Sequence, residues 1–127
     1  MSDARISGHR IHYKIADGCA VVRPEGACNE ARTEALARLV NSSLVESRNL
    51  IIDLSHSEYV ETPGFRWIVR QFRQLESDGR TLVVAGLPPS VERAFKLLKL
   101  DTMVPVAKDV AEAFRKIDSC RLAAVLV

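Results

Sequence analysis

The sequence predicts an α/β fold: a mainly parallel sheet with an antiparallel edge hairpin, flanked by about four helices. Three observations carry this. Leu50 to Leu54 and Thr81 to Ala85 are short apolar runs without alternation, as central strands covered on both faces require. Apolar residues at three- and four-residue spacing follow each run, which is the pattern of amphipathic helices. Ahead of them Ile11, Tyr13 and Ile15 alternate with His12 and Lys14, and Asp17-Gly18 offers a tight turn, so the chain opens on an antiparallel hairpin.

Taken in order, the first strand covers one face only, and Cys19 to Arg23 returns beside it, ending near Pro24. Gly26 opens a loop. From about Asn29 the period changes to that of a helix: Leu36, Leu39, Val40 and Leu44 point inward, while Glu30, Arg32, Glu34 and Arg38 are left for water. After the strand at Leu50, the residues Phe65, Ile68, Phe72 and Leu75 mark a second helix, ended at Asp78-Gly79 where glycine takes the left-handed position. Past Pro88-Pro89, Ser90 is placed to cap a third helix that turns Val91, Phe95 and Leu98 inward. A short strand around Val104 to Val106 leads to Asp109, and Glu112 three residues on gives a capping-box-like start to a helix with Val110, Ala113, Phe114 and Ile117 on its inner side. The last residues, 118–127, read as strand-like, with no assigned place.

At 127 residues the chain is expected to be one domain, its core at about 10–117. Eighteen Lys and Arg against sixteen Asp and Glu leave a net charge of +2, too small for a nucleic-acid footprint, so no nucleic acid is expected among the partners. The longest strictly apolar run, Leu122 to Val127, falls far short of the roughly 20 residues needed to span a bilayer, and Met1 to Arg10 lacks a signal-peptide core. Direct membrane insertion is not expected, and the expected compartment is cytoplasmic. Cys19, Cys28 and Cys120 are odd in number and widely spaced, which supports neither a disulfide framework nor a zinc module. No metal and no cofactor is expected.

In an open parallel sheet, sites gather beyond the carboxyl ends of the strands, and two loops qualify: Ser55 to Thr62 and Gly86 to Pro89. In the first, Thr62 stands where an N-cap belongs, with Pro63 at the first helical position. A capping role alone would account for Thr62. A hydroxyl at an exposed helix start is also placed to carry a phosphate, because free amides and the helix dipole favour an anion there. Asp53, His56 and Thr62 do not make a catalytic triad, since nothing fixes an orienting carboxylate or an oxyanion site, and His56 reads as a solvated loop residue. Cys28 reads as a small buried cysteine rather than a reactive thiol. Arg66, Arg70 and Arg73 fall on one helix face. Such a stripe is usually a solvated face, and its alternative is a contact for an acidic partner through bidentate arginine–carboxylate pairs. Trp67 beside it is a core residue, or an interface anchor if exposed.

The motifs resemble those of the STAS domain, the fold of the bacterial anti-sigma-factor antagonists, across residues 10 to about 117. They are Gly26 leading into Cys28-Asn29, Ile51-Ile52-Asp53-Leu54, Val60-Glu61-Thr62-Pro63-Gly64-Phe65, and Pro88-Pro89-Ser90-Val91 with Arg93, Phe95 and Leu100. In that family the central loop usually reads Asp-Ser-Ser/Thr-Gly-Leu, and a partner kinase phosphorylates the first hydroxyl. Thr62 falls on that position, Glu61 on the Asp, Pro63 on the second hydroxyl and Gly64 on the Gly. Arg66 and Arg70 replace residues that are often glycine in the family, Lys99 replaces another, and the acids of the first helix entrance are missing around Asn29.

The resemblance implies a regulatory protein-binding domain and no enzyme: a partner-switch protein controlled by phosphorylation at Thr62. Its contact surface would comprise Asn29, Glu61, Pro63, Gly64, Arg66, Trp67, Arg70 and Arg73. The implied partner is an anti-sigma factor of the serine/threonine-kinase type, with room for a homo-oligomer. The alternative is a constitutive, non-phosphorylated STAS subunit of a larger complex, either a lipid-transport ATPase or a stress scaffold.

Overall fold

The computed structural model describes residues 2–6, 8–42, 45 and 48–126, and the side chains of 8–42, 45 and 48–118. Its strands are β1 (Ser2–Ile6), β2 (His9–Ala16), β3 (Cys19–Pro24), β4 (Asn49–Asp53), β5 (Leu82–Ala85) and β6 (Val106–Ala107). Its helices are α1 (Glu30–Val40), α2 (Thr62–Ser77), α3 (Pro89–Leu97) and α4 (Val110–Leu126), with a 3₁₀ turn at Leu100–Thr102. The six strands lie side by side in chain order. β1, β2 and β3 pair antiparallel, and β3 to β6 run parallel.

That order explains the layering. Parallel neighbours need crossovers, and crossovers of one hand that always step the same way along the sheet put their helices on the same face. One core accordingly unites Leu36 and Leu39 of α1, Ile68 and Leu75 of α2, and Val91 and Phe95 of α3 with Ala20, Val22, Leu50, Ile52, Leu82 and Val84 of the strands. The alternate strand residues Val21, Ile51, Val83 and Ala85 point the other way, as the two-residue period dictates, and meet Ala113 and Ile117 of α4. Both faces of β4 and β5 are covered, in keeping with their unbroken apolar runs. On β2 the α4 side carries Lys14, which is exposed, and His12, so the second layer stops where the strand turns polar.

Several expectations change. Residues 2–6 form a strand that was not anticipated, paired from Ser2↔Tyr13 to Ile6↔His9, so the edge is a three-stranded meander rather than a hairpin. Its short, mostly polar sequence has little strand signal of its own, and β2 supplies the ladder. The strand-like reading of 118–127 is wrong, because α4 continues to Leu126. No Gly or Pro follows Val110, and Leu and Ala favour helix, so nothing ends the helix early. Val127 and Leu44 lie outside the described residues; α1 ends at Val40, with Asn41 as its C-cap. Ser90 does not cap α3: Pro88 holds that position and Ser90 lies inside the helix. Leu98 is exposed rather than inward, because α3 ends at Leu97 and the backbone turns through Lys99 in a left-handed conformation, φ +57°. Arg32 is half-buried, its Nη1 donating to the Ala27 carbonyl at 2.8 Å.

Other local signals hold. Asn29 caps α1, its Oδ1 accepting from the Arg32 amide at 2.9 Å. Asp109 accepts from the Glu112 amide at 2.8 Å, and the Glu112 carboxylate reaches back to the Lys108 amide at 3.1 Å, a capping box shifted by one residue. At the end of α2, Gly79 adopts φ +76° while the Arg80 amide bonds the Leu75 carbonyl and the Gly79 amide that of Glu76, the Schellman closure.

Candidate protein-binding site

The loops that follow β3, β4 and β5 meet at one end of the sheet and are stitched together by main-chain hydrogen bonds. The Gly26 amide donates to the His56 carbonyl (2.9 Å), the Cys28 amide to Tyr59 (3.0 Å) and the Glu61 amide to Cys28 (3.0 Å). Cys28 and Val60 thus form a parallel bridge, a short continuation of the β3–β4 pairing after both strands have ended. Ser57, fully buried, donates to the Pro24 carbonyl at 3.4 Å and lies 3.6 Å from the Cys28 sulfur. The Ser90 hydroxyl donates to the Glu58 carbonyl at 3.2 Å and ties in the third loop. On the outer side, the Glu25 carboxylate bridges His12 Nε2 (2.7 Å) and His56 Nδ1 (3.2 Å), with Arg23 at 3.6 Å. His56 is therefore anchored rather than simply solvated. These bonds fix the starts of α1 and α2 side by side.

Thr62 sits at that junction, exposed, as the first residue of α2. The cap position belongs instead to Glu61, extended at φ −83° and ψ 165°, with no side-chain cap bond, and Pro63 is the second helical residue. The helix start is a poorer anion site than the sequence suggested. Pro63 has no N–H, and the Gly64 and Phe65 amides already bond the Glu61 carbonyl at 2.9 and 3.3 Å. Gly64 is the hinge of the packing here: a Cβ at this position would lie 2.6 Å from Val60 Cγ1 and 3.3 Å from the Cys28 carbonyl oxygen. Asn29 is engaged in capping and keeps partial exposure.

Arg66, Arg70 and Arg73 are exposed along α2, one above another from Thr62. Thr62 and the three arginines line a groove of about 600 Å³ with Phe65, Val69, Leu98 and Leu100, on the side of α2 that faces the α3 end. Trp67 is not an exposed anchor. It is buried, with an indole N–H that has no partner, and its ring lines the floor of a smaller groove between α1 and α2. Its position one residue after Arg66 turns it 100° away from the stripe and into the core. Tyr59, half exposed on the stitched loop, is a surface aromatic that the sequence reading passed over. An aromatic in an otherwise polar loop whose backbone pairs with a neighbour has nowhere to pack, which was its available signal.

Burial pushes the Cys28 thiol up, against the weaker opposing pull of the Ser57 hydrogen bond and the Arg32 charge. A protonated, enclosed thiol is no nucleophile. Among the described residues no three His, Cys, Asp or Glu side chains are grouped to hold a metal ion, and no helix is long and apolar enough to cross a membrane.

A meander-edged parallel sheet, three helices on one face and a stitched loop end define a STAS-like α/β fold. The STAS domain model matches residues 10–113, and the chain belongs to the STAS domain family. A protein of Bordetella bronchiseptica named as an anti-sigma factor antagonist, BtrV, is 28% identical over 103 residues, covering 78% of this chain and 89% of that protein. Among solved structures, one from Thermotoga maritima, titled as an anti-sigma factor antagonist, superposes with a TM-score of 0.78 at 21% identity, over 85% of this chain and 94% of the other. An anti-sigma factor antagonist from Mycobacterium paratuberculosis gives 0.76 at 22% identity, over 85% and 92%. The match at the level of structure is one of fold.

Proposed function

We propose that this STAS domain is a partner-switch regulator, not an enzyme, in which phosphorylation of Thr62 controls binding to an anti-sigma factor of the serine/threonine-kinase type. The observation that carries the reading is Thr62 itself: an exposed hydroxyl at the head of α2, beyond the carboxyl end of a central strand, with no structural bond to lose. A side chain that caps nothing is open to modification without unfolding the domain. Around it Glu61 and the exposed arginines supply the polar surface a partner would read, with Pro63 as an apolar patch between them, Gly64 sets the close packing beneath it, and Asn29 holds the neighbouring helix start. Pro63 at the second helical position costs no hydrogen bond, because that amide would have no intrahelical acceptor.

The test is phosphate incorporation. Incubated with the cognate kinase and ATP, the wild-type chain is expected to take up phosphate at Thr62, read by mass spectrometry, and Thr62→Ala to take up none. Absence of modification at Thr62 overturns the switch. The constitutive-subunit reading gains support from Arg66 and Arg70, long cations in place of the small residues that would let a kinase approach α2 closely, and it predicts tight binding that no Thr62 substitution alters.

A further inference from the structure

The groove between α2 and the end of α3 combines three features. Its apolar lining is Phe65, Val69, Leu98 and Leu100. One wall is Arg66, Arg70 and Arg73, none of which has an acidic partner among the described residues. The side formed by the α3 end is exposed and apolar at Leu98, 57% exposed, and the exposed Leu97 (77%) and Met103 (40%) belong to the same chain segment. Exposed apolar area of this kind beside a polar border marks contact surfaces. That side is held out by Lys99, a non-glycine residue in the left-handed conformation, at the turn that brings Leu98 to the groove.

We propose that this groove is the docking site for an amphipathic helix of a protein partner, one that carries acidic side chains beside an apolar stripe. The charge argument is that guanidinium groups pair bidentately with carboxylates and are less well hydrated than ammonium groups, so three of them along an apolar trough select an acidic ligand. The geometric argument is spacing. Arg66, Arg70 and Arg73 stand at i, i+4 and i+7 and span about 10.5 Å of helix axis, the repeat that carboxylates at the same spacing on a facing helix would match. The shape argument separates this ligand from an anionic membrane: the groove is lined along α2 from Thr62 to Arg73 and so receives a rod, whereas a bilayer offers a plane. Leu and similar side chains of the incoming helix would pack against the apolar lining, which is the usual mode of groove recognition. The proposal rests on the reading of α2 as the partner face, and not on modification of Thr62.

The experiment uses the full chain, unphosphorylated, and a fluorescein-labelled peptide of about 18 residues, five helical turns, with Glu at i, i+4 and i+7 and Leu on the adjoining stripe. Fluorescence anisotropy is expected to show saturable binding that Arg70→Glu and Leu98→Asp each weaken at least tenfold. Both positions are exposed, so circular dichroism should show both variants folded. A peptide with Lys in place of Glu should not bind, and vesicles of phosphatidylcholine with phosphatidylglycerol should not sediment the chain. The proposal is overturned if the Glu peptide fails to bind at millimolar concentration, if either substitution leaves its affinity unchanged, if the Lys peptide binds equally, or if the vesicles bind through the same residues. Because Thr62 is unmodified throughout, such a failure leaves the phosphorylation reading standing, and failed phosphorylation at Thr62 leaves the groove standing.

Discussion

Thr62 stands one helical turn before Arg66, so a phosphate on its hydroxyl is expected to have that guanidinium as a neighbour on the same helix face. Phosphorylation adds about −1.5 to −2 charges. With Pro63 lacking an N–H and the Gly64 amide already bonded, few helix-start amides are left for the phosphate, and Arg66 is the expected counterion. The phosphorylated protein should therefore be stabilised toward heat relative to phosphorylated Arg66→Ala, a difference that vanishes when neither is phosphorylated and is read by paired thermal melts. Gly64 makes a second residue-level claim. Gly64→Ala gains helix propensity of about 1 kcal/mol, but the new methyl must displace the stiff Val60 side chain and the Cys28 carbonyl. Overpacking of this kind costs about 1 to 3 kcal/mol, so a net loss in a denaturant melt is expected, and a gain would show that the bridge can relax. Cys28, its thiol held protonated by burial, should resist iodoacetamide at pH 8 in the native protein and react once unfolded, as read by peptide mass spectrometry. The sign follows: the folded state keeps this proton where the unfolded chain releases it, so the thiol's contribution to stability is present below the ordinary thiol range and falls as pH rises through it. Thr62 and the arginines could be read from the sequence because position and charge are local properties. The cap at Glu61 and the burial of Trp67 depend on where the helix begins and on its rotation against the sheet, which a boundary uncertain by one residue does not resolve.

Helix α2 shows how much an apolar period decides. Ile68 and Leu75 are buried, while Phe65 and Phe72 are only partly covered at the flanks of the same face. Leu75→Ala should thus cost about 2 to 5 kcal/mol, whereas Arg70→Ala should stay within about 0.5 kcal/mol; similar losses in urea melts would contradict the helix face. At the end of α3, Lys99→Gly removes left-handed strain of about 1 to 2 kcal/mol and adds unfolded-state entropy of about 0.4 to 1 kcal/mol, leaving a small net stabilisation. Lys99 supplies the turn without glycine, so no local signal marks that α3 ends before Leu98 or that Leu98 faces outward. The last helix was misread for the opposite reason. Leu122 to Val127 has a continuous apolar run that strand and helix share, and only the unbroken continuation from Val110 decides between them. The first strand, Ser2–Ile6, owes its form to pairing with β2, a non-local cause that no local pattern records.

At the scale of the molecule, alternation of strands and helices made the mainly parallel sheet legible, while the strand order and the side each helix takes come from the structure, where right-handed crossovers stepping one way put α1 to α3 on one face. The stitching of the loops did not: the Cys28–Val60 bridge and the Ser90–Glu58 bond join residues about 30 positions apart, and sequence spacing says nothing of them. Together they tie the loops that carry Glu61 and Thr62 to their neighbours, and the proposed switch would use this end of the sheet as its contact platform. In the proposed switch this platform would release a kinase-type anti-sigma factor when Thr62 carries a negative charge. Isothermal titration of that partner with wild type, the Thr62-phosphorylated protein and Thr62→Ala tests it most directly. Wild type and Thr62→Ala should bind alike, and phosphorylation should weaken binding at least tenfold, about 1.4 kcal/mol or more. Equal affinity for the phosphorylated and unphosphorylated forms would contradict the switch.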